Sequence, residues 1–294
     1  MKPAAFEHCV PESLSEALAL VKQYGEEAKV LAGGRTLMPL MNLRLARPTV
    51  IIDINRLSEL AYIQPAADGG LTIGALTRQR MVERSSVVRD KNPLLAETVP
   101  LIGHFQIRNR GTIGGSLVHS DPAAELPTVC LIQEAELVLR RAGGERVIKA
   151  KDFFIGPLMT AIEPDEFLTR IRFPARRPGL GWAIQKVSRR RGDFALVGVA
   201  VLIEIDGNDV CKDARVGFFG FGDGPLRMEP AESILLGNHV GGRTSMEISR
   251  IVSGSLPSHS DIHASGEYRR EVGAVLARRT LETALSRARK GTGG

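Results

Sequence analysis

The chain has 294 residues, 43% of them apolar and 24% charged, a balance ordinary for a globular protein of two or three packed units. Its formal charge of +6 is unevenly placed: residues 267–290 hold seven Lys or Arg against three Glu, which points to a basic C-terminal helix rather than a nucleic-acid groove. With one Trp and three Tyr for base stacking, no run long enough for a bilayer, no apolar leader at the start, and Cys9, Cys130 and Cys211 too scattered to pair on a metal, the expectation is a cytoplasmic protein with no nucleic-acid partner and no membrane span.

In chain order, Ser13 and Glu16 read as a capping box for a helix whose apolar face carries Leu14, Ala17, Leu18 and Val21 and which Gly25 ends. A short strand over 29–32 precedes Gly33-Gly34. Pro39 suits the first turn of a helix carrying Leu40, Leu43 and Leu45 that must stop before Pro48. The β-branched run 50–54 reads as a buried strand, which makes the opening αβαβ. Residues 71–73 suggest another strand, Thr77 a cap for a helix over 78–84, and 92–103 an apolar helix after Pro93. A second glycine pair follows at Gly114-Gly115, then an apolar segment over 123–132 that buries Cys130. Strand 136–140 turns back at Gly143-Gly144. Residues 174–179 read as a linker, followed by strands over 182–188, 195–205 and 214–221 and two C-terminal helices, a separate α+β layer.

The chemistry rests on the glycine pairs. A diphosphate needs several donors at once, and backbone amides supply them where no Cβ blocks the approach. Gly33-Gly34 with Arg35 and Thr36, and Gly114-Gly115 with Thr112 and Ser116, share that grammar, and two such loops together suit one diphosphate. Neither G-x-G-x-x-G nor a P-loop is present. His259 and His263 are four apart, but Pro257 and neighbouring serines favour a loop there with no third ligand.

Residues 32–57 (AGGRTLMPLMNLRLARPTVIIDINRL), 73–78 (IGALTR), 107–127 (IRNRGTIGGSLVHSDPAAELP) and 261–285 (DIHASGEYRREVGAVLARRTLETAL) resemble the FAD-binding medium subunit of the molybdenum hydroxylases, the carbon monoxide dehydrogenase and xanthine dehydrogenase type. The resemblance implies an α+β fold. A two-subdomain FAD-binding half of the p-cresol methylhydroxylase/vanillyl-alcohol oxidase type (1–57 and 58–177) would precede a small C-terminal α+β domain (178–294) of antiparallel sheet and helices. It implies FAD in this chain, a molybdopterin cofactor in a large partner subunit and 2Fe-2S clusters in a small one, a dimer of heterotrimers, and an external electron acceptor.

Carried over residue by residue, the resemblance assigns Leu31, Ala32, Gly33, Gly34, Arg35, Thr36, Leu37 and Met38 to the first FAD loop and Thr112, Ile113, Gly114, Gly115 and Ser116 to the second. Ile102 and Gly103 would lie against the flavin or ribityl chain, His119 and Asp121 would follow the second loop, and Glu125 would accept from the adenosine portion. Leu168 and Lys186 would line the far side, and the basic turn over residues 188–194, with Arg189, Arg190 and Arg191, would approach the isoalloxazine ring. No catalytic residue and no metal ligand is assigned, because the flavin carries the chemistry. A nicotinamide-fed, free-standing reductase of the same fold is the second reading, and a basic nucleic-acid or scaffold protein the third.

Overall fold

The computed structural model describes residues 2–257 and 259–292, and the chain lays down its sheets one after another. The first comprises β1 (Glu7–Cys9), α1 (Leu14–Tyr24), β2 (Ala28–Leu31), α2 (Leu37–Asn42) and β3 (Val50–Asp53). Strand β3 lies between β1 and β2, parallel to both. Ser13 caps α1, its hydroxyl accepting from the Glu16 amide at 3.2 Å, while the Glu16 carboxylate accepts from the Glu12 amide at 2.8 Å. Ala17, Leu18 and Val21 pack with Val50 and Ile52.

Two expectations change here. The opening begins one strand earlier than αβαβ, because β1 has only three residues and no apolar alternation. Helix α2 stops at Asn42: Arg44 is left-handed (φ 59°), so Leu43 and Leu45 stand 57% and 74% exposed instead of lining a helix.

The second unit opens with β4 (Ile63–Pro65) and β5 (Leu71–Gly74) and continues through six short helices: α3 (Gln79–Arg84), α4 (Ser86–Lys91), α5 (Pro93–Thr98), α6 (Phe105–Arg108), α7 (Ile113–His119) and α8 (Glu125–Ile132). Then come β6 (Glu136–Arg141), β7 (Gly144–Lys149), α9 (Ala150–Phe153), the small hairpin β8 (Phe154–Gly156) and β9 (Met159–Thr160), and β10 (Phe167–Phe173). The sheet order is β4-β5-β10-β6-β7, antiparallel throughout. Ile113 and Leu117 of α7 and Leu126, Val129 and Cys130 of α8 are buried over it. The stretch 92–103 is not one helix, since Pro100 sits in a 3-10 turn that ends α5. Thr77 does not cap α3: fully buried, its hydroxyl donates to Tyr62 O at 2.8 Å, and Arg78 takes the cap position without a side-chain bond.

The third unit contains β11 (Gly181–Val187), β12 (Val197–Ile205), β13 (Cys211–Phe219), β14 (Leu226–Arg227), α10 (Glu229–Leu235), α11 (Gly242–Ser255) and α12 (Gly266–Thr292), three C-terminal helices where two were expected. Strand β12 is buried on both faces. Val199, Val201 and Ile203 join Leu281, Ala284 and Ala288 of α12, while Ala200 and Leu202 join the core of the second unit. On β13, a Cβ on Gly217 would stand 2.7 Å from Thr128 Cγ2, and the Thr128 hydroxyl donates to Phe218 O at 3.0 Å, so α8 lies directly on this sheet. The arginines of α12 are largely used within the chain. Arg269 donates to Leu196 O and Gly220 O, Arg287 to Trp182 O and Glu97, and Arg289 pairs with Asp209. The segment 174–179 is pinned, with Arg176 4.8 Å over the Trp182 ring and Arg177 2.9 Å from Glu204. No helix among the described residues is long and apolar enough to cross a membrane.

Candidate cofactor site

The first glycine loop leaves the carboxyl end of β2, the end at which open parallel sheets place ligands, and the second runs into α7. They meet. Gly33 rests on the backbone of the second loop's lead-in: a Cβ there would fall against Arg110 O and 2.9 Å from Gly111 Cα. A Cβ on Gly115 would lie 3.9 Å from Ala32 Cβ, so Gly115 faces the first loop across open contact distance. Gly34 takes the left-handed conformation (φ 67°) that turns the chain into α2, a conformation open to glycine at little cost.

The two loops differ in what they offer. Among the described residues, no acceptor receives the amides of Gly33, Gly34, Arg35 or Thr36. They are four consecutive donors without an in-chain partner on a half-buried loop, the kind of backbone group that an anion can satisfy. Four of the second loop's five amides are already used. Ile113 donates to Thr77 O (3.0 Å), Gly114 to Ala75 O (2.9 Å), Gly115 to Thr112 Oγ1 (3.0 Å) and Ser116 to Thr112 O (3.3 Å). The two loops therefore differ: residues 33–36 keep their amides without an in-chain acceptor, whereas those of residues 113–116 are bonded within the chain. Gly114 is required there for packing, since its Cβ would lie 2.6 Å from that of Ala75.

A third loop, 100–103, is held by Arg108. Arg108, 8% exposed, donates to Ile102 O (2.9 Å) and Gly103 O (3.0 Å) while its other nitrogens pair with Glu83 (2.9 and 3.1 Å). The Arg108 guanidinium beside Glu83 holds that carboxyl below its usual range. Gly103 is left-handed (φ 53°). The basic turn packs onto it, because a Cβ on Gly192 would stand 2.6 Å from His104 Cε1 and 3.1 Å from Gly103 O. Arg189 contacts His263 Nδ1 at 3.3 Å, and His259 and His263 lie in the loop before α12.

Lys186 and Glu125 are placed together, 2.6 Å apart with side chains 6% exposed. Lys186 Nζ also donates to Leu101 O (2.8 Å) and Asp193 O (2.9 Å), which fills its three donor positions. It thus ties β11, the basic turn, loop 100–103 and the start of α8 into one unit. Burial pushes the Glu125 carboxyl above its ordinary value, and Lys186 opposes that rise. His119 lies 3.9 Å from Asp121, and burial lowers its pKa, so the imidazole is neutral at neutral pH. Asp121 accepts from the Ala123 amide at 2.8 Å. Leu168 is 3% exposed and belongs to the core of the second unit.

Sequence reasoning missed Asn55 and Arg78, whose side chains bridge the glycine loops. Both lie inside the motif stretches 32–57 and 73–78, but nothing in a linear sequence shows that residues 23 apart share a bond.

A family model described as the FAD binding domain in molybdopterin dehydrogenase matches residues 4–176, and one described as the CO dehydrogenase flavoprotein C-terminal domain matches residues 182–284. The chain is 38% identical over 289 residues to the 6-hydroxypseudooxynicotine dehydrogenase complex subunit alpha of Paenarthrobacter nicotinovorans, covering 98% of this chain and 97% of that one. It is 35% identical over 288 residues to the caffeine dehydrogenase subunit beta of Pseudomonas sp. (strain CBB1), covering 98% and 97%. Its structure superposes with a TM-score of 0.94 and 36% identity on a carbon monoxide dehydrogenase chain from Hydrogenophaga pseudoflava, covering 98% of this chain and 99% of that one.

Proposed function

The chain belongs to the FAD-binding flavoprotein family of the molybdopterin dehydrogenases, and from that we propose that it is the electron-transfer subunit of a heterotrimeric molybdenum hydroxylase. In this reading it takes electrons from 2Fe-2S clusters of a small partner and passes them to an external acceptor. A large molybdopterin subunit oxidises the substrate, and two heterotrimers pair in the cytoplasm. The observation that supports the cofactor's place is the row of four unpaired amides from Gly33 to Thr36, on a loop whose Gly33 rests against the backbone leading into the second glycine pair.

The residues present fit FAD. Loop 33–36 meets the charge of a diphosphate with backbone donors, and the exposed Arg35 adds a cation beside them. When bound, FAD supplies the redox chemistry, and the protein supplies position and electrostatics. Arg108 fixes the carbonyls of Ile102 and Gly103, so that loop presents a set surface to the ring system. Lys186, saturated by Leu101, Glu125 and Asp193, acts as a buried rivet beneath it rather than as a charge on the ring. The units 1–57, 58–177 and 178–294 correspond in this reading to two FAD-binding subdomains and a C-terminal domain; Gly293 and Gly294 lie outside the described residues.

Relatives named for a nicotine derivative and for caffeine align along nearly the whole chain. That supports a substrate pocket in another subunit.

The test is rapid mixing of the FAD-loaded chain with its chemically reduced iron–sulfur partner. Bleaching of the flavin absorbance on mixing supports the proposal. A flavin inert to that partner, yet bleached by NADH or NADPH with no partner present, contradicts it and identifies a nicotinamide-fed reductase.

A further inference from the structure

Arg78 stands between the two glycine loops at the end of the β5 turn. Its Nη1 donates to Arg110 O at 2.6 Å, at the head of the second loop, and its Nη2 donates to Asn55 Oδ1 at 2.6 Å. Asn55 completes the span, since its Nδ2 donates to Ala32 O in the first loop at 2.7 Å and to Asp53 Oδ1 at 2.6 Å. The Arg78 backbone forms an isolated bridge with Thr112, and the carbonyl it grips, Arg110 O, is the atom against which Gly33 rests. Among the described residues, no other pair of side chains hydrogen-bonds both loops in this way.

We propose that Arg78, acting through Asn55, is the positioning residue that sets the separation of the two FAD loops. This rests on the reading of those loops as the FAD site. The guanidinium is suited to the task because its planar fork reaches two acceptors in fixed, diverging directions. A lysine ammonium on a flexible stem cannot hold both at one spacing. The position is costly. Burial and the neighbouring Arg110 lower the Arg78 pKa, and Asp53 offsets part of that. The tie runs from strand β3 through Asn55 to the free-amide loop, so a change at Arg78 moves the donors of residues 33–36 relative to Gly115. Neither Arg78 nor Asn55 need touch the cofactor.

The experiment measures FAD Kd on the deflavinated protein, purified with the subunits that accompany it, for Arg78→Lys, Asn55→Ala and the double variant. The melting temperature of each deflavinated form is recorded alongside. Each single variant is expected to raise the Kd about ten-fold, the scale of one lost charged hydrogen bond, with the deflavinated form still folded and its melting temperature lowered by no more than a few degrees. The double variant should bind no worse than the weaker single, because both changes cut the same tie. An unchanged Kd, effects that multiply in the double variant, or a lower melting temperature with FAD affinity intact would each overturn the proposal. Should Arg78→Lys not fold, Asn55→Ala carries the test by the same Kd and melting criteria. A wild-type protein that takes up no FAD would contradict the function proposed above, whereas wild-type uptake with unaffected variants contradicts only the role of Arg78.

Discussion

Gly33→Ala puts one methyl group where the two loops touch. The added carbon would lie against Arg110 O, 2.9 Å from Gly111 Cα and 3.1 Å from the Arg110 carbonyl carbon. Carbon atoms rest at about 3.5–4.0 Å, so the loops must part by roughly 0.5–1 Å. Every atom in the way is main chain, and no rotamer relieves the clash. Overpacking of this kind costs about 1–3 kcal/mol. With no ligand between them the loops can yield against the Arg78–Asn55 tie and shed part of that strain. With FAD bound they cannot, so the cost falls on binding, roughly ten- to hundred-fold in Kd.

Gly34→Ala is the control, because its Cβ meets only the side chains of Leu31 and Met38, each at 3.2 Å, and both can turn away. Its penalty is the left-handed backbone, about 1–2 kcal/mol, present whether or not FAD is bound. It should therefore lower the melting temperature and leave the Kd within a few-fold. The assay is FAD titration by fluorescence quenching beside thermal unfolding of the deflavinated protein. Gly33→Ala with wild-type affinity, or equal losses of affinity in the two variants, would refute the reasoning.

Glu83 has a depressed pKa in the fold, so its pairing with Arg108 stabilises above the ordinary carboxyl value of 4.5 and is lost as pH falls through the lower folded value. Glu83→Gln should cost about 1–3 kcal/mol at neutral pH and flatten the acid limb of melting temperature against pH; an unchanged acid limb counts against the clamp. Lys186→Met strands the Glu125 carboxyl in a buried site and should cost about 3–5 kcal/mol. Because the Glu125 pKa is raised in the fold, that variant's melting temperature should fall as pH rises through the raised value. Adding Glu125→Gln should recover much of the loss, and a double variant as unstable as the single would show that the pair is not the cause.

The sequence carried the site's main parts because glycine is irreplaceable where backbones touch. Gly33 against Arg110 and Gly114 against Ala75 leave no room for a Cβ, and that requirement is visible as paired glycines. Strand β3 was legible for a similar reason, since a β-branched run buried between two parallel neighbours has no polar face to disguise it. Long-range bonds were not legible. Lys186 and Glu125 are 61 residues apart, and neither shows in sequence that it serves as the other's partner. The difference between the loops also depends on where carbonyls point: Thr77 O and Ala75 O occupy the second loop's amides only because β5 turns beneath α7. The end of α2 at Asn42 was hidden likewise, since Leu43 and Leu45 keep helical spacing while Arg44 leaves helical φ.

FAD uptake is the most direct test of the two-loop site. Titrating the deflavinated protein, purified with its accompanying subunits, should show saturable binding of one FAD per chain. Denaturation should release the cofactor chemically intact, and a variant carrying Gly33→Ala together with Gly115→Val should lose it while keeping the fold. A folded protein that takes up no FAD, or a double variant that binds it as tightly as the wild type, would contradict the claim that these two loops hold the cofactor.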